Sequence, residues 1–105
     1  MIDTEVQALA ESLERASDFL QKYGLASWAS WLAKDARLVR EGDFYGVEHL
    51  LSAFGGMGSL NDVVLHPMNG QSIPDEDVNR VNEDLQAMLS DIGGRARKLA
   101  REARK

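Results

Sequence analysis

No cysteine occurs among the 105 residues of this chain. That absence excludes a disulfide, a thiolate nucleophile and a thiol-ligated metal. Only two prolines are present, Pro67 and Pro74, so most of the chain is free of the residue that breaks helices most reliably. No apolar run approaches the roughly 18 residues needed to cross a bilayer. The first residues, Met1-Ile2-Asp3-Thr4-Glu5, lack the basic and apolar regions of a secretory signal. These absences predict a cytoplasmic protein with no membrane partner. Internal repeats and low-complexity linkers are also missing.

What remains is ordinary for a globular protein: 44% hydrophobic and 28% charged residues, enough to close one core and too apolar for disorder. A single helical domain over 1–105 is expected. Its charge is uneven. From Arg95 to Lys105, six basic residues face one acidic residue, whereas residues 1–94 carry six basic and sixteen acidic residues, a net of −10. A body that acidic repels nucleic acid and steers basic surfaces toward itself.

Periodicity predicts four helices. Val6, Leu9, Ala10, Leu13, Ala16, Phe19, Leu20 and Tyr23 share one face, which defines a helix over residues 4–23. Gly24 then occupies the left-handed stop position, with Leu25 as the hydrophobic contact behind it. Ser27 is expected to cap a second helix running to Arg40, with Trp28, Trp31, Leu32, Leu38 and Val39 inward and Asp35 as an acceptor beside that stripe. Gly42 ends it. Asp43 caps a third helix that turns Phe44, Val47, Leu50, Leu51 and Phe54 inward and places His49 as a satisfied polar residue. Pro74 opens the fourth helix, whose first turn holds Asp75, Glu76 and Asp77 where the helix dipole favours acids. Its stripe is Val78, Val81, Leu85, Met88, Leu89 and Ile92, and beyond Gly93-Gly94 a basic extension over 95–105 either kinks or frays. Between helices three and four, Asn69-Gly70 is a turn signal, and a small β-hairpin pairing residues 63–66 with 71–73 is expected.

The most unusual stretch is Phe54-Gly55-Gly56-Met57-Gly58-Ser59-Leu60-Asn61-Asp62. Each glycine there loses more backbone entropy on folding than any other residue would. Three readings compete. Amides of Gly55, Gly56 and Gly58, with Ser59 and Asn61, would cradle an anion or nucleotide as phosphate loops do; yet no lysine reaches back and no strand precedes them. Ser59, Asp62 and His66 or His49 would need a triad geometry that spacing cannot supply. A zinc shared by Asp62 and His66 lacks a third ligand, so neither a metal nor a cofactor is expected. On the third reading the loop is structural: the glycines turn the chain, Met57 plugs the core, and Asn61 and Asp62 satisfy stranded backbone groups.

With Gly24, Trp28-Ala29, Trp31-Leu32, Asn69-Gly70, Asn82, Leu85 and Leu89, this loop resembles a family of small bacterial helical proteins with a Gly-Gly-Met-Gly-Ser-(Leu or Phe)-Asn-Asp signature. The resemblance implies a helical fold without assigning an activity. Proteins of this size and charge beside contact-delivered toxins suggest, by analogy, an immunity role. The sequence therefore predicts a non-catalytic protein-binding module that occludes a basic toxin or effector, with Asp43, Glu48, Asp62, Asp75, Glu76 and Asp77 as steering contacts and Met57 as the apolar anchor. The alternative is a small-ligand or nucleotide-binding protein using the glycine-loop amides.

Overall fold

A computed structural model describes residues 4–55 and 58–103. Four α-helices account for most of it: α1 (Thr4–Lys22), α2 (Ala26–Arg40), α3 (Tyr45–Leu51) and α4 (Val78–Ala103). Three short 3-10 turns, Leu60–Asp62, Pro67–Asn69 and Asp75–Asp77, punctuate the segment between α3 and α4. The fold is all-α. No strand is present among the described residues.

Glycine stops the first two helices in the same way. Gly24 and Gly42 adopt left-handed φ values of 82° and 77°. The amides that follow fold back onto the last carbonyls, Leu25 N–H donating to Leu20 O and Asp43 N–H to Leu38 O, both at 2.9 Å. This is the six-to-one closure that satisfies orphaned carbonyls at a helix end. With three residues between them, α1 and α2 fold back as a helical hairpin, and their interface is the most extensive in the molecule. Ser27 lies inside α2, whose first amides take no side-chain cap, contrary to the expected boundary. Asp43 does cap α3: its Oδ1 accepts the Tyr45 N–H at 2.9 Å.

α4 packs on both α1 and α3. Its 26 residues, at a rise of 1.5 Å each, make a rod about 39 Å long, which sets the longest dimension of the 46 × 25 × 20 Å molecule. The expected fray beyond Gly93-Gly94 does not occur: α4 is continuous to Ala103. The helix runs through because Gly93, Ala96 and Ala100 are buried; Lys98 also pairs with Glu5 on α1. Burial of the small residues offsets the roughly 2 kcal/mol that two helical glycines cost; the exposed ion pair adds little.

The centre of the core is aliphatic. Leu9, Leu13, Leu20, Leu32, Leu50, Leu60, Leu65, Leu85 and Ile92 are fully buried. Of the residues expected at the centre, Leu50, Leu85 and Leu89 are there, whereas Phe19, Trp28, Trp31 and Phe54 pack against its edge and stay part-exposed. Leucine and alanine let helices approach closely, and flat rings fit better along the seams.

The expected hairpin is also replaced. Leu65 is buried, and its backbone pairs with a side chain: Asn82 on α4 accepts the Leu65 N–H at 2.8 Å and donates to the Leu65 carbonyl at 2.7 Å. One carboxamide does the work of a neighbouring strand. Residues 64–71 close on themselves, with His66 N–H donating to Gln71 and Asn69 to the Val64 carbonyl.

Candidate functional site

The α2–α3 corner concentrates the chemistry. α3 is only seven residues long and seats on α2 through Gly46. A Cβ there would lie 2.8 Å from Leu38 Cβ, 3.1 Å from Val39 N and 3.2 Å from the Asp35 carbonyl. Glycine at this point brings the two backbones together, and that approach puts His49 beside Asp35.

Asp35 is fully buried, and its Oδ1 lies 2.5 Å from His49 Nδ1. One short hydrogen bond joins the carboxyl to the ring, and which side carries its proton follows the tautomer of His49. Burial pushes the Asp35 carboxyl above its ordinary range, opposed by the His49 hydrogen bond and charge and by Lys34. Trp31 stacks on the His49 ring with centroids 4.2 Å apart and planes 18° apart. Its indole nitrogen and Asp35 Oδ2 are buried without a hydrogen-bond partner, although the indole N–H still favours the carboxylate electrostatically. The polar residue expected beside the α2 stripe thus takes an imidazole as its partner.

His49 keeps 18% side-chain exposure and, with Tyr45, Glu48 and Ser52, lines a hollow of about 240 Å³. A second hollow, about 280 Å³ and lined by Phe44, Val47, Glu48, Leu51 and Ala100, shares Glu48 with it. A third, about 320 Å³, lies between Phe44, Asp43 beside it, and the helix ends that carry Val6, Val39 and Leu99. α3 thus carries a continuous band of shallow apolar relief with acids along it. Phe44 and Tyr45 stand out from the band at 41% and 53% exposure, so Phe44 is not the inward residue the periodicity implied. Tyr45 falls outside the apolar stripe of α3 already in the sequence, and Asp35, one turn beyond Trp31, falls within that of α2. A carboxylate in that stripe needs a donor once buried, a signal that leads to His49.

The acids named from sequence separate into three places. Asp43 and Glu48 are exposed at this corner. Asp62, also exposed, belongs to the glycine loop, where its Oδ2 accepts the Gly58 N–H at 3.0 Å. Asp75 and Glu76 are exposed in the turn that leads into α4, and half-buried Asp77 lies 3.4 Å from Arg80. Met57 and Gly56 lie outside the described residues.

The glycine loop is bonded to itself. Gly55 and Gly58 take left-handed φ values of 86° and 80°. The Gly55 N–H donates to Asn61 Oδ1 at 3.1 Å, and Ser59 Oγ donates to the same oxygen at 2.5 Å. Leu60, buried below, donates to the Ala53 carbonyl. An anion cradle needs free amides, and those of Gly55 and Gly58 are taken by side chains of the loop. The triad candidates are engaged separately as well: Ser59 with Asn61, Asp62 with Gly58, His66 accepting the Met68 N–H at 3.0 Å, and His49 with Asp35. Among the described residues, no three His, Asp or Glu side chains are grouped to hold a metal ion, and no helix is long and apolar enough to cross a membrane.

Comparison with curated proteins and with solved structures finds no match. The profile of one family, described as a domain of unknown function (DUF6966), matches residues 21–74, which span α2, the α3 corner and the glycine loop. That is just over half of the chain, and the protein belongs to this family.

Proposed function

We propose that this protein is a non-catalytic protein-binding module, an immunity-type inhibitor that neutralises a basic bacterial toxin or effector by covering it. One observation carries the reading: the aromatic pair Phe44 and Tyr45 stays exposed to about half its surface between Asp43 and Glu48. Exposed aromatic rings are the side chains that most often anchor an interface, and neighbouring acids raise the on-rate toward a basic surface. The corner that displays them is stiff, because Gly46 seats α3 on α2 and the Asp35–His49 bond locks it from within. A stiff paratope loses little conformational entropy on binding. Asp62 and the Asp75–Asp77 turn contribute steering charge at a distance from the anchor.

The test is a photo-crosslinking amino acid placed at position 44 or 45, and at position 76 as a comparison, in the full-length protein within its source cell. A basic protein should crosslink strongly from 44 and 45 and weakly from 76. Crosslinking from 76 alone, or the same background at all three positions, would remove the corner as the binding face.

A further inference from the structure

The geometry points to a specific guest for the hollow on the outer side of α3: the guanidinium group of an arginine side chain supplied by the partner. This rests on the protein-binding reading and adds what the face recognises. Glu48 and Ser52 bring acceptors to the hollow, and Tyr45 and His49 bring rings. Glu48 is exposed and forms no ion pair among the described residues. The Ser52 hydroxyl spends its proton on the His49 carbonyl at 2.6 Å, so what it offers outward is its oxygen. His49 is held to Asp35 through Nδ1 and contributes its ring to the wall of the hollow. The rings of Tyr45 and His49 lie 5.7 Å apart, tilted by 35°, with Trp31 backing the imidazole. No Lys or Arg lines the hollow.

A complementary guest is cationic, flat and rich in donors, with no acceptor of its own. Guanidinium has five donors in one plane, never titrates in the ordinary range and stacks on aromatic faces. An ammonium offers the charge without the plane. The adjoining hollow, whose wall includes Val47 and Leu51 and which shares Glu48, gives the arginine's aliphatic stem an apolar bed.

The experiment titrates the full-length protein with N-acetyl-arginine amide, following the His49 ring and Tyr45 resonances by NMR and Trp31 by fluorescence. N-acetyl-lysine amide and N-acetyl-citrulline amide serve as the charged and the flat neutral controls. Arginine should give saturable shifts at His49 and Tyr45 in the millimolar range expected of so small a fragment. Lysine should bind several-fold more weakly and citrulline not measurably. Glu48→Gln should weaken arginine about tenfold or more, as loss of a charge-assisted bond does, and Tyr45→Ala several-fold. Both residues are exposed, and thermal melts of the two variants check that the fold is kept. No saturable shift, equal binding of arginine and lysine, or indifference to Glu48→Gln overturns the proposal. A partner crosslinked from position 45 without arginine binding sinks the guest and leaves the binding face. Arginine binding without a crosslinked partner keeps the hollow and removes the inhibitor reading.

Discussion

Replacing Gly46 by alanine should destabilise the protein, and replacing Gly94 by alanine should stabilise it, although both glycines are helical. Helix propensity alone favours alanine at either position by up to about 1 kcal/mol. The surroundings decide the sign. At Gly94 an added Cβ meets nothing within 4 Å, so the full gain of about 0.5–1 kcal/mol is available. At Gly46 the new Cβ would lie 2.8 Å from Leu38 Cβ and within 3.2 Å of two backbone atoms of α2. None of these can rotate aside, so α3 must lift away from α2, and overpacking of this kind costs about 1–3 kcal/mol. Lifting α3 also stretches the Asp35–His49 bond, which crosses the same seam. The net loss is about 1–2 kcal/mol after the propensity gain. At roughly 4–8 °C per kcal/mol for a domain of this size, Gly46→Ala should melt about 5–15 °C below the wild type. Gly94→Ala should melt a few degrees above it. Calorimetry on both variants, with urea unfolding to check that the m-value is unchanged, reads the result. If Gly46→Ala melts at or above the wild type, α3 is not seated on α2 as described, and the rigid recognition corner goes with it.

Three further predictions follow from individual contacts. Asn82→Ala removes the carboxamide that pairs with both backbone groups of Leu65 and bonds the Val78 carbonyl; with two part-buried groups left unpaired the loss should be about 2–4 kcal/mol in urea unfolding, and a loss under 0.5 kcal/mol would show that water replaces it freely. The raised pKa of Asp35 means that the folded state holds this proton to higher pH than the unfolded chain, so its contribution to stability is largest below the unfolded value of about 3.9 and declines as pH climbs through the raised folded value. The stability of the wild type relative to Asp35→Asn, measured from pH 3 upward, should fall over that window; a rise would mean that pairing with His49 outweighs burial. Finally, charge reversal of Asp43 and Glu48 to lysine should slow association with the crosslinked partner more than reversal of Asp75, Glu76 and Asp77, with the difference shrinking as salt is added; equal rates for both variants at low salt would discard the steering role of the corner.

Local rules are enough for much of this molecule. The three-and-four spacing of Leu9, Leu13, Ala16 and Leu20, or of Val81, Leu85, Leu89 and Ile92, can bury itself in only one conformation. Gly24 and Gly42 end their helices because a left-handed residue closes the last carbonyls. Asn61 and Asp62 follow the loop glycines closely enough to satisfy their amides, and the sequence shows that shortage and its remedy together. These features depend on neighbours a few residues away, so composition and spacing determine them.

The rest required distant segments to meet. Asp35 and His49 are fourteen residues apart, and only the close approach at Gly46 makes them a pair. The hairpin signal at Asn69-Gly70 was overruled by Asn82, seventeen residues beyond Leu65, which took over the backbone bonds a strand would have made. Helix α4 stays continuous across two glycines because α1 covers it. Phe44 shows the same limit from the other side: periodicity assigns it to the apolar face of α3, but the residues across from it leave a hollow open, and the side chain stays 41% exposed. Sequence fixes which surfaces are apolar; how many of them find cover is decided only when the helices pack.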